Sequence, residues 1–127
     1  MTTTITLRGL DGAYGIARLA PDAPIPAWAD GPGFVSISRT DDELSITCRA
    51  DRIPAATHHD TGWRCFEFQG PFAFDQAGIL LAVIEPLSRN GLGVFVVSTF
   101  DTDHLLLKEA DTARAEHLLA EAGHTLI

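Results

Sequence analysis

Ser98, Asp101, Asp103 and His104 lie within the stretch VVSTFDTDHLLL (Val96–Leu107), and each is a side chain able to move a proton, hold a cation or pair with a charged ligand. Apolar runs flank the acids on both sides. Each run has the composition of a buried strand, so the acids belong to a hairpin connection. Two carboxylates at one such corner raise four readings: catalysis, a metal, the counter-charge of a ligand, or turn residues facing water. The last is the plain one, because Asp readily bonds its own backbone in turns. Catalysis finds little support. No G-x-S-x-G elbow is present to strain and expose Ser98, and His104 falls on a strand, where a hydrogen-bonded structural histidine is the ordinary case. Asp101-x-Asp103-His104 offers metal donors, but His58-His59-Asp60 is far away in sequence and neither EF-hand nor zinc spacing occurs. A small metal-dependent hydrolase is therefore the weakest reading. RGLDGAYG lacks the GK[ST] ending and the following helix that would cradle a phosphate.

The whole chain narrows the partners. Its 127 residues suit one ordinary domain or two small lobes, with 46% hydrophobic and 20% charged residues, the balance of a globular protein. Net charge is −8, and the nine Lys and Arg are scattered. Nucleic acid and anionic membrane surfaces both require clustered cations, so neither is an expected partner. MTTTITLRGL lacks a basic region followed by an apolar one, and AGILLAVIEPL is about half a bilayer span and contains Glu85. A cytoplasmic location is expected. Cys48 and Cys65 form no metal or CxxC spacing and read as reduced core residues, and Trp28 and Trp63 as core aromatics.

The elements that must position the acids appear twice, unevenly. With a shift of sixty, FVSISRTDDELSIT (Phe34–Thr47) aligns with VFVVSTFDTDHLLL (Val94–Leu107), matching Ser38 with Ser98 and Asp41 with Asp101. The second half reads WRCFEFQG as an alternating strand, then a helix with Leu80, Val83, Ile84 and Leu87 on one face. Asp75 is its candidate N-cap, Gly91 its stop, and Pro86 an awkward interior residue. A hairpin, the helix DTARAEHLLAEAG and the strand HTLI complete the order strand, helix, strand, strand, helix, strand. This is a ferredoxin-like α+β unit. In the first half, PDAPIPAWADGPG and DRIPAATHHDTG stand where helices should be and permit a turn at most. The expected division is a helix-poor lobe over 1–62, beginning with ITLRGL, and a full βαββαβ unit over 63–127.

IPAWA, FVSISRTDDELSI, GWRCFEFQGPFAFDQAGILLAVIEPL and VFVVSTFDTDHLLLKE together resemble the small bacterial ACT-domain proteins, whose relatives include the ACT modules of the animal cytosolic arginine sensor. The resemblance covers nearly the whole chain and implies a reduced ACT-like lobe before a full ACT domain. It implies a regulatory, non-catalytic protein that binds a small amino acid between modules, without a cofactor. In the arginine-binding relative the ligand lies against a helix entry and the strand end leading into the acidic hairpin. Carried across by motif, this implies Gln76, Gly78 and Ile79 on the helix side, and Thr99, Phe100 and Asp103 on the hairpin side. With one full copy per chain, a site between full modules requires a second subunit, so a homodimer is expected.

Elementary chemistry makes such a site sensible. Unpaired N–H groups at a helix start suit a carboxylate, and Gly78 would let a ligand approach them. An ammonium needs a carboxylate, with Asp103 first and Asp101 or Asp75 second. The convergence of the helix entry and the hairpin comes from the resemblance and not from spacing. An interaction module that kept the fold and lost the ligand is the alternative.

Overall fold

The structure is a computed structural model, and it describes residues 4–70 and 77–127. Its contacts divide the chain into Leu10–Trp63 and a second unit made of Met1–Gly9 with Arg64–Ile127.

No α-helix forms among the described residues of Leu10–Trp63, in keeping with the prolines. Four strand segments lie in the order β3 (Ser36–Arg39), β4 (Leu44–Arg49), β2 (Tyr14–Leu19) and the start of β5 (His59–Phe68). The β2–β4 register runs from Tyr14 opposite Arg49 to Leu19 opposite Leu44. Between Tyr14 and Ile16 the pairing with β5 slips, at Gly15, where a Cβ would fall 2.6 Å from Ile53 Cδ1. Ala17, Ala29, Leu44, Ile46, Cys48 and Ile53 form the core, with Trp28 packed against it. The proline-rich loop makes only a 3-10 turn, Ala27–Ala29. Its carbonyls, deprived of helical donors, are taken by arginines. Arg39 donates to Pro21 and Ala23, and Arg52 to Trp28 (3.2 Å) and Pro32 (2.8 Å).

The second unit has the expected βαββαβ order: β5, α1 (Ile79–Arg89), β6 (Phe95–Ser98), β7 (Asp103–Lys108), α2 (Thr112–Glu121) and β8 (Thr125–Leu126). It also holds one strand more. ITLRGL reads from sequence as part of the helix-poor lobe, but β1 (Thr6–Gly9) lies between β5, antiparallel with Leu7 opposite Phe68, and β8, parallel with Thr6 opposite Thr125. The sheet order is β6-β7-β5-β1-β8. Leu7 continues the inward phase of Phe66 and Phe68, and burying it beneath the helices outweighs its nearness in sequence to β2. Ile79, Val83 and Leu87 of α1, Ala115 and Leu119 of α2, and Leu105 and Leu107 of β7 close this core.

Both helices stop as the sequence indicates. Gly91 and Gly123 take φ of +82° and +93°. After α1, Gly91 N–H bonds Ser88 and Leu92 N–H bonds Leu87; after α2, Gly123 bonds Ala120 and His124 bonds Leu119. These are paired Schellman caps. The start of α1 differs from expectation. Gly78, at φ +83°, holds the N-cap position with no side-chain cap, and Asp75 lies outside the described residues.

Pro86 stands inside α1 without ending it, and His124 supplies the donor that it removes. Pro86 lacks the N–H that would bond Ala82 O. His124, 5% exposed, accepts the Ile5 N–H on Nδ1 (3.0 Å), so its proton sits on Nε2, which donates to Ala82 O at 2.8 Å.

The internal echo survives with a changed shift. At fifty-nine, not sixty, β3 falls on β6, β4 on β7, and the 3-10 turn Ala50–Arg52 on Glu109–Asp111. Ser38/Ser98 and Asp41/Asp101 then no longer match, and Thr40 aligns with Thr99. Each of these threonines closes its own turn: Thr40 N–H bonds Glu43 O at 2.8 Å, and Thr99 N–H bonds Thr102 O at 2.7 Å. Turn geometry, not the acids, is what the two hairpins share.

Candidate functional site

The β6–β7 hairpin is fixed twice. Internally, the Thr99 N–H and hydroxyl both donate to Thr102 O. Externally, the Thr102 hydroxyl donates to Phe68 O at 2.7 Å, tying the corner to the end of β5. Between them lies a cavity of about 290 Å³ lined by Glu67, Phe68, Gln69, Gly70, Asp101 and Thr102. It has two carboxylates and a backbone rim.

Glu67 belongs to a cross-strand cluster. Its Oε1 pairs with Arg8 of β1 at 3.0 Å, and its Oε2 faces His104 Nε2 of β7 at 3.4 Å. Burial pushes the His104 pKa down, and the neighbouring Glu67 carboxylate offsets this only in part. Burial thus favours the neutral form of His104 beside its neighbour's charge.

The expected site residues separate. Asp101 lines the hairpin cavity. Asp103, directly opposite Ser98 in the β6–β7 register, accepts that residue's hydroxyl on Oδ1. Thr99 is spent on the turn, and Phe100 at the tip is 78% exposed. Gly78 lines a different cavity, of about 370 Å³, with Leu81, Glu85, Arg89 and His124 among its walls. Among the described residues a Cβ at Gly78 would meet nothing within 4 Å, and its φ of +83° is the left-handed backbone that favours glycine. Ile79 is a core residue, 7% exposed, and presents backbone only. Gln76 and Asp75 lie outside the described residues. Glu67 and Thr102 were missed in sequence. Glu67 could have been found from its outward phase in the alternating strand WRCFEFQG; nothing in the sequence marks Thr102.

Among the described residues no group of three or more His, Cys, Asp or Glu could hold a metal, and no helix is long and apolar enough to cross a membrane.

Residues 58–121 match the family described as the ACT domain. The chain belongs to that family. Residues 12–56 of this ACT-domain protein match a second family, described as an N-terminal domain. The crystal structure of protein Atu0741 from Agobacterium tumefaciens is similar with a TM-score of 0.95 and 62% identity, over 99% of this chain and 94% of that one. The fold also resembles the regulatory subunit of aspartate kinase from Thermus thermophilus in its ligand-free form (TM-score 0.62, 9% identity, 96% and 99% covered). The aspartate kinase of Clostridium acetobutylicum, described as allosteric, is similar over 96% of this chain and 35% of its own length (TM-score 0.68, 12% identity). At such identities the two kinases attest the ferredoxin-like ACT fold alone.

Proposed function

We propose that this ACT-domain protein is a non-catalytic regulatory module that binds a small amino acid at the hairpin corner, between two copies of the chain. The observation that carries the reading is the pinned cavity lined by Asp101, by Glu67, whose charge is shared with Arg8, and by Gln69 and Gly70. The Asp101 carboxylate suits an ammonium, or a cationic side chain as in the arginine-sensor resemblance, with Glu67 adding negative charge nearby. The ligand's carboxylate would need donors from elsewhere. The first N–H groups of α1, from Ile79 on, are of the right kind, and a second subunit would bring such a start to the corner. Ligand bridging two modules would stabilise one mutual arrangement and shift its population, which a partner then reads in the cytoplasm.

Calorimetry against the twenty amino acids tests this. The expected result is saturable binding of one or a few of them, lost in Asp101→Asn with the melting temperature unchanged. No heat with any of them would overturn the reading. Sedimentation should show a dimer that ligand strengthens.

The exposed Phe100 at the hairpin tip favours a second reading, an interaction module that needs no ligand. A blank amino-acid screen, with partner capture lost in Phe100→Ser, would select it.

A further inference from the structure

A cavity of about 550 Å³ lies on the helical side of the sheet, along α2 from Thr112 to Ala120 and against strands β1, β5 and β8. It shares no lining residue with the hairpin corner. Phe66 and Leu126 supply an apolar floor, and Arg64, Thr112 and Glu116 stand around it. Arg64 is half-buried, and its Nε is closed off from solvent without a hydrogen-bond partner among the described residues. Burying a donor of a charged group unsatisfied is costly. Glu116 lines the same cavity, yet among the described residues neither charge has an ion-pair partner. The two neighbouring polar groups cannot serve them. His124 uses both ring nitrogens on backbone, and the Thr112 hydroxyl leans on Lys108 O at 3.4 Å.

Opposite charges left apart across one partly apolar cavity fit a molecule bearing both charges and a hydrocarbon body. The volume is within the range of small-ligand pockets, roughly 300–1,000 Å³. We propose that this cavity is a second ligand site, taking an aliphatic amino acid with its carboxylate on Arg64, its ammonium on Glu116 and its side chain over Phe66 and Leu126. The proposal stands independently of the hairpin site.

The test is an amide NMR titration of the full chain with three probes of one skeleton: L-leucine, isocaproate, which lacks the ammonium, and isoamylamine, which lacks the carboxylate. L-leucine is expected to shift amides near Arg64, Thr112–Glu116 and Leu126. Arg64→Gln should weaken both L-leucine and isocaproate about tenfold, near 1.4 kcal/mol. Glu116→Gln should weaken L-leucine and isoamylamine and spare isocaproate. Arg64→Lys should restore part of the binding, which separates loss of charge from loss of fold. Asp101→Asn should change none of this. The proposal fails if no probe shifts these amides at millimolar concentration, if Arg64→Gln and Glu116→Gln bind L-leucine as the wild type does, or if the shifts map to the hairpin and vanish in Asp101→Asn.

Discussion

His124 donates its Nε2–H to the carbonyl oxygen of Ala82, the oxygen whose helical donor Pro86 has removed. A proline that should weaken the last turns of α1 is thereby turned into a joint between α1, the end of α2 and β1. Replacing His124 by Leu leaves the buried Ile5 N–H without its partner, at about 1–3 kcal/mol, and takes the donor from the part-buried Ala82 O. His124→Leu should therefore rank among the most destabilising single changes in the chain by urea unfolding. Pro86→Ala restores an N–H beneath Ala82 O. The double variant should be less unstable than the two single losses added together, by about 1 kcal/mol. Strict additivity would show that the two residues are not coupled.

Thr102→Val keeps the shape of the side chain and removes the hydroxyl that bonds Phe68 O. About 1 kcal/mol of stability should go with it. Hydrogen exchange should rise at Thr99–Asp103 and not in α2. If Asp101 holds a ligand, the same variant should weaken binding although it removes no charge, because the corner is no longer fixed to β5.

His104 gives acid sensitivity of known sign. Its folded-state pKa lies below the unfolded value because burial disfavours the imidazolium. The unfolded chain therefore binds more protons as pH falls below about 6.5, so stability present at neutral pH is lost on acidification through that region. His104→Gln should flatten the stability curve on the acid side of neutrality. An unchanged slope would assign the sensitivity to another group.

Cys65 is fully buried, and burial, reinforced by the Glu67 charge, pushes its thiol up to about 12. Burial raises Cys48 as well, with Arg52 opposing the shift. Both are free thiols. Native protein at pH 8 should resist alkylation, and the reaction rate should follow unfolding. Fast labelling of Cys65 in the folded state would contradict its buried placement.

Local chemistry was legible in the sequence and distant chemistry was not. Gly91 and Gly123 announced helix stops because a left-handed residue after a helix is a property of a few neighbouring positions. The proline-rich segment excluded a helix for equally local reasons. The two hairpins were found but aligned one residue out, because Asp41 and Asp101 attract the eye while Thr40 and Thr99 bond the turns. The place of β1 was hidden, since pairing across most of the chain leaves no periodic trace. His124 looked like the start of a strand, and only its contacts with Ile5 and Ala82 give it a role. Of the expected site, Asp101 and Gly78 proved to line cavities, different ones. Ile79 was drawn inward by the core, and Asp103 is engaged by Ser98.

The position of β1 bears on biosynthesis. β1 is enclosed by β5, made some sixty residues after it, and by β8, made about 120 residues after it. Until then its edges stay open to any other nascent chain, and such long-range closure is slow. A fragment starting at Trp63 would carry both helices but lack the strand between β5 and β8, leaving both as raw borders, and should aggregate where the full chain stays in solution.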